Sequence, residues 1–192
     1  MKSTPVRSML SLPVGPRDHA QGPATAAVTL VEYGDYECPH CARAYPIVKA
    51  IQDRMGDRLK FVFRNFPLRQ VHPHAEDAAQ AAEASAAGGK FWEMHDVLFE
   101  NQSALEREDL VSYAAALGLD PAQIASDLDA GLYAARVQED FLSGVRSGVN
   151  GTPCFFLNGV RYDEAWDGAE FIVAVEAAGM PARERRGPQS AR

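Results

Sequence analysis

Val28-Thr29-Leu30-Val31-Glu32-Tyr33, then Gly34-Asp35-Tyr36-Glu37, then Cys38-Pro39-His40-Cys41 is the stretch on which the fold turns. With Ala27 ahead of it, the first run is β-branched and apolar, and reads as a buried strand. The next four residues read as a loop. Pro39 suits the first helical position, where its missing N–H costs nothing. Behind it Ala42, Tyr45, Val48 and Ile51 recur at helical spacing. Pro46 lies inside that helix and is expected to kink it. Leu59-Lys60-Phe61-Val62-Phe63-Arg64 reads as a second strand. Strand, helix and strand in this order predict parallel neighbours joined by a right-handed crossover.

Outward from this unit, the middle of the chain is helical. The pattern predicts helices over 73–87 (closed by Gly88-Gly89), 90–101, 106–117, a short one opened by Asp120-Pro121, and 131–147. The end returns to strand. Thr152-Pro153-Cys154-Phe155-Phe156-Leu157 is followed by Asn158-Gly159, a two-residue hairpin turn, and by Val160-Arg161-Tyr162. Asp167 with Glu170 suggests a capping box for a last helix, which Gly179 and Pro181 stop. Residues 1–24, rich in Pro, Gly, Ser and charge, read as an irregular N-terminal arm. Residues 25–180 form one α/β domain, βαβ…ββα on a mixed sheet, with a helical insertion at about 72–148. Residues 181–192, with Arg183, Arg185 and Arg186, read as a disordered C-terminal tail.

Composition narrows the function. At 192 residues and 46% hydrophobic, the chain can build a core without staples. A formal net charge of −7 argues against nucleic acid, which needs a basic face. No apolar run is long enough to span a bilayer, and Met9-Leu10-Ser11-Leu12-Pro13 is too short and interrupted for a signal-peptide core. These points predict a cytoplasmic protein without membrane contact, or a periplasmic or secreted one if a leader precedes this stretch. Three cysteines do not make a disulfide framework.

Two of them form a C-x-x-C beside a βαβ pattern, which is a specific signal for dithiol redox work. Cys38 sits at a helix start, where unpaired N–H groups and the dipole favour an anion. Such thiols fall to a pKa of roughly 3.5–7.5 and become nucleophilic thiolates. Cys41, one turn further in, is expected to resolve the mixed disulfide. His40 between them is a candidate stabiliser of the Cys38 thiolate. Glu32 is costly to bury among Val28, Leu30 and Val31 without a task. A raised pKa would let it pass a proton to and from Cys41; a strand-end Glu facing water is the plainer reading. Thr152-Pro153, opening a strand far from the dithiol, is read in this βαβ…ββα context as a cis bond that leaves the Thr152 backbone to pair with a bound peptide. Cys154 has three readings: a buried small residue, a third redox thiol, or a metal ligand.

Taken together, the run from Val28 into Cys38-Pro39-His40-Cys41, Gly151-Thr152-Pro153 before Phe155-Phe156-Leu157-Asn158-Gly159, His72-Pro73-His74-Ala75, and Gly89-Lys90-Phe91-Trp92-Glu93-Met94-His95 resemble the DsbA-like branch of the thioredoxin superfamily. The resemblance covers about residues 17–178. It implies a thioredoxin-like fold and an enzyme exchanging disulfides with protein or peptide thiols. Cys38 is then nucleophile, Cys41 resolving cysteine, Glu32 a buried acid and Pro153 a cis-proline. The dipeptide Pro39-His40 is the one associated with strongly oxidising members. No cofactor beyond the Cys38–Cys41 disulfide is implied, and no resident metal; glutathione or a thioredoxin-type reductant is the natural electron partner. Two alternatives stay open. One is a zinc-binding module using Cys38, Cys41, Cys154, His40, His72, His74 and His95. The other is a peptide-binding module with Phe91, Trp92 and Phe99 as a groove; at helical spacing these read more simply as core.

Overall fold

A computed structural model describes residues 8–180. The tail at 181–192, with its arginines, lies outside them, as does the stop assigned to Pro181. Strand β1 (His19–Gln21) is followed by β2 (Val28–Gly34), helix α1 (Pro39–Met55), a short 3-10 turn and β3 (Leu59–Asn65). Five helices then run without a strand: α2 (Ala75–Ala87), α3 (Phe91–Glu100), α4 (Arg107–Ala116), α5 (Pro121–Asp129) and α6 (Ala134–Arg146). Strands β4 (Cys154–Leu157) and β5 (Val160–Tyr162) and helix α7 (Ala169–Ala178) close the chain.

The sheet order is β1-β3-β2-β4-β5. Strands β2 and β3 pair in parallel, Val28 opposite Leu59, and every other pairing is antiparallel. This is a thioredoxin-like mixed sheet. Successive side chains of β2 point to opposite faces. Leu30 joins the larger core with α1, α2, α3 and α7, while Val31 and Tyr33 join a smaller one with Val62, Phe66 and Phe156. Phe91 and Phe99 are buried in the larger core, and Trp92 packs against it. They fill the interior and form no groove.

Helix α1 continues through Pro46 as one element. Two local expectations change. The last helix is capped by the extended backbone of Gly168, without a side-chain bond, in place of the Asp167–Glu170 box. The N-terminal arm is not irregular throughout. Residues 19–21 pair with β3, Met9 bridges to Val160, and Arg64 reaches into the segment between. That guanidinium bonds the Leu12 and Pro13 carbonyls, the Asp18 carboxylate and the Tyr33 hydroxyl. A buried Arg cannot be left unpaired, so it recruits arm backbone that composition alone marks as loose. At the opposite end of the sheet Asn158 and Gly159 both adopt positive φ (48° and 81°), the geometry of a two-residue primed turn.

Candidate active site

Cys38 is the N-cap residue of α1 with extended backbone. Its Sγ therefore lies over the first turn, where N–H groups have no helical acceptor. The thiol is 3% exposed and its pKa is pulled down to about 5. The Cys41 thiol donating to it is the largest cause, burial opposes, and Thr152 and the N–H groups of Cys41 and His40 add to the stabilisation. Cys41 is fully buried, and burial, followed by its bond to Cys38 and the charge of Glu32, pushes its thiol well above the ordinary value. Two thiols one turn apart thus have opposite characters, one an anion at neutral pH and the other holding its proton. All three cysteines are free thiols.

Pro39 is the first residue of α1. The His40 ring is exposed and bonds Arg43 Nη2 through Nδ1 (2.8 Å), so what His40 gives the thiolate here is its main-chain N–H. Glu32 is 3% exposed, and its Oε1 has no hydrogen-bond partner. Burial first, then the charge of Cys38, raises its pKa to about 8. The room for this carboxyl comes partly from Gly34: a Cβ there would collide with the Phe63 ring and sit 3.3 Å from Glu32 Oε1. Glu32 is therefore interior, not a strand end facing water.

The Thr152–Pro153 bond is cis, and the Cys38 thiol lies 3.5 Å from the Thr152 carbonyl oxygen. Beside them an open groove is lined by Gly151, Thr152, Pro153, Tyr162, Glu164 and Trp166. Arg43 lies over the Trp166 ring at 5.8 Å, so the groove and the helix carrying the dithiol are adjacent.

Cys154 stands opposite Tyr33 in the β2–β4 register, and Phe155 stands opposite Glu32. One residue of offset decides the face. Cys154 packs in the smaller core with Tyr33 and Phe156, whereas Cys38 and Cys41 belong to the larger one. Burial raises its thiol to about 11, leaving it protonated at neutral pH. Replacing Cys154 by Ala is expected to leave the Cys38–Cys41 equilibrium with glutathione unchanged while costing about 1 kcal/mol of stability. Peptide mapping of oxidised protein that finds Cys154 in an intramolecular disulfide would contradict this placement. Among the described residues no three His, Cys, Asp or Glu side chains converge as metal ligands would. His95, for example, is enclosed by aromatic rings, its pKa pushed down to about 3 by burial, and bonds the Tyr36 hydroxyl at 3.2 Å.

Two contributors had no sequence signal strong enough to single them out. Gln102, in the loop between α3 and α4, donates from Nε2 to the carbonyls of Tyr36 (2.7 Å) and Cys38 (3.0 Å). It ties the active-site loop to the helical insertion. Asp35, read only as a loop residue, accepts the Cys38 N–H through its carbonyl (3.2 Å), and its own N–H points at Cys41 Sγ (3.5 Å). Its carboxylate takes the Leu68 N–H and the His72 ring. An Asp three residues ahead of a C-x-x-C was the available hint.

A family model described as Thioredoxin matches residues 15–177. Among solved structures, oxidised BdbD of Bacillus subtilis superposes with a TM-score of 0.78 at 25% identity, covering 90% of this chain and 98% of that one. A thioredoxin-like oxidoreductase from Silicibacter pomeroyi gives 0.74 at 26% identity, covering 91% and 95%. Among curated proteins, the Na(+)/H(+) antiporter NhaA 1 of Mycobacterium sp. (strain KMS) is 45% identical over 176 residues. That match takes in 90% of this chain but 29% of the antiporter, so the chain spans under a third of the length of such relatives.

Proposed function

We propose, from the premise that this chain belongs to the thioredoxin family, that it is a DsbA-like thiol–disulfide oxidoreductase that exchanges disulfides with protein or peptide thiols through Cys38 and Cys41. The observation that carries the reading is the split between the two thiols: Cys38 pulled down to about 5, Cys41 pushed well up, adjacent at one helix start.

In the oxidising direction a substrate thiolate attacks Cys38 Sγ of the disulfide. The Cys38–Cys41 bond breaks, a mixed disulfide forms, and Cys41 leaves as a thiolate. Cys41 cannot hold that charge in its dry site. Glu32, mostly neutral at pH 7, supplies the proton. A second substrate thiolate then attacks the substrate sulfur and expels Cys38, which departs as a stabilised anion. Two electrons pass from the substrate dithiol to the protein. The reverse sequence has the Glu32 carboxylate take the proton from Cys41. The Thr152 backbone, beside Cys38, is the natural edge for an extended substrate segment. Glutathione or a thioredoxin-type protein would reset the couple. In a reducing cytoplasm the pair would stand as dithiol and act as reductase or isomerase; in an oxidising compartment it would donate its disulfide.

Antiport is named for relatives of which this chain spans 29% in the first case. No helix among the described residues is long and apolar enough to cross a membrane. The exchange reading rests on the portion that matches.

The test is the pH dependence of Cys38 alkylation in reduced protein. The rate should follow thiolate with a midpoint near 5, against 9 for an ordinary thiol. At pH 7 thiolate should outnumber thiol by roughly 100 to 1. Oxidised protein should transfer its disulfide to a reduced, unfolded substrate. A rate that rises only above pH 8 would remove the basis of the proposal.

A further inference from the structure

The turn that joins β3 to α2 hangs on the active-site loop by two carboxylates. The Asp35 side chain is fully buried. Its Oδ1 accepts the Glu37 N–H (2.8 Å), and its Oδ2 takes both the Leu68 N–H (2.8 Å) and His72 Nδ1 (2.8 Å). Glu37 Oε2 in turn accepts the His74 N–H (2.6 Å). Through its backbone the same Asp35 touches both cysteines. One residue therefore connects the dithiol to an imidazole that is 17% exposed and free to exchange protons with solvent.

We propose that His72 is a positioning residue of the dithiol: held by Asp35, its imidazolium balances the Cys38 thiolate in the reduced protein and releases part of its proton when Cys38 enters a disulfide. This rests on the thiol-exchange reading above and deepens it. The balance is complete. Oxidation removes two electrons, which the substrate disulfide accepts, and one proton from Cys41 by way of Glu32. Cys38, already an anion, loses none. The loss of its charge is what loosens the proton on His72.

The charges around His72 support this sign. Burial works against its charged form, but the Asp35 bond and charge, then the charges of Cys38 and Glu37, outweigh it and raise its pKa. From its own turn Arg69 is engaged by Glu76 of α2 and Gln138 of α6. His74 lies 3.8 Å from Glu106, the N-cap of α4. Of the favourable neighbours, Cys38 is the one whose charge depends on redox state.

The experiment follows the His72 ring by NMR titration in reduced and oxidised wild-type protein, and needs no variant to fold. His72 should titrate at a higher pH in the reduced form, by roughly half a unit or more. In His72→Gln, the Cys38 alkylation midpoint should rise by a similar amount. The ratio of reduced to oxidised protein at a fixed glutathione ratio should fall about three-fold, and the share of the pH dependence of the potential near neutrality that His72 contributes should disappear. A purely structural His72 would move none of these titrations. If His72 titrates identically in both redox states, the inference is overturned while the function stands. If Cys38 itself titrates near 9 in wild-type protein, the function falls first and the inference with it.

Discussion

Replacing Glu32 by Gln is expected to stabilise the reduced protein at neutral pH while slowing disulfide exchange by about 100-fold, the lower end for a lost internal acid–base group. The stability change follows from linkage. Burial, with the Cys38 charge behind it, raises the Glu32 carboxyl from 4.5 to about 8 on folding. A group raised in this way contributes its stability fully below pH 4.5, and that contribution is lost as pH rises toward 8. At pH 7 the loss approaches 2.5 units, a ceiling of about 3.4 kcal/mol. Gln removes the titration but buries an amide beside a site where Oε1 already lacks a partner, which costs about 1–2 kcal/mol. The net gain near pH 7 is therefore about 1–2 kcal/mol. It should cross zero between about pH 5 and 6, become a loss of about 1–2 kcal/mol near pH 4.5, grow up to pH 8, and be smaller in the oxidised protein, where Cys38 carries no charge. Denaturant unfolding at pH 4.5, 7 and 8.5 measures it. A difference that does not vary with pH would show that Glu32 is ionised in the folded protein. The kinetic loss arises because Cys41, in its dry site, then has no internal partner to give or take its proton.

Much of this site was legible before any coordinates. The spacing of Cys38 and Cys41, the Pro39 start and the β-branched run ahead of them define a local unit, and local units are what periodicity reports. Glu32 stood out because a carboxylate in an apolar run is expensive. What escaped detection depends on chain segments brought together from a distance. Gln102 reaches Cys38 from 64 residues away, and nothing in its neighbours marks it. His72 and His74 entered only through the resemblance and as candidate zinc ligands, because their carboxylate partners, Asp35 and Glu37, are 37 residues earlier. The face occupied by Cys154 hangs on a register of one residue, which composition cannot specify. The Pro, Gly, Ser and charge of residues 1–24 suggested an irregular arm, yet Arg64, 46 residues after Asp18, fixes the described part of that segment.

Arg64 carries the other large effect: Arg64→Met is expected to cost about 3–5 kcal/mol, the range for breaking one side of a buried ion pair. The side chain is fully buried and bonds Asp18 at 2.7 and 3.1 Å, Tyr33 Oη at 2.8 Å and the carbonyls of Leu12 and Pro13. Burial pulls the Asp18 carboxyl up, but the Arg64 bond and charge, together with the Gly15 N–H and the Arg136 charge, outweigh it and the net shift is down. With Arg64 gone, Asp18 keeps the Gly15 N–H but loses its ion-pair partner, a stranded carboxylate with 8% of its side chain exposed. At about 2–4 °C per kcal/mol for a domain of this size, Tm should fall by roughly 10 °C. The deficit should shrink below the ordinary Asp value of 3.8, where the orphaned acid is protonated in both states. Adding Asp18→Asn should recover part of the loss, because the penalty lies in the stranded charge more than in the missing attraction. Limited proteolysis should open first at residues 8–21, which Arg64 ties to the sheet. Cys38 should still titrate near 5, since Tyr33 and Arg64 sit across the sheet from the dithiol. Strictly additive losses in the double variant would mean that Asp18 and Arg64 act independently, and a loss under about 1 kcal/mol would mean that the arm is held by its strand pairing alone.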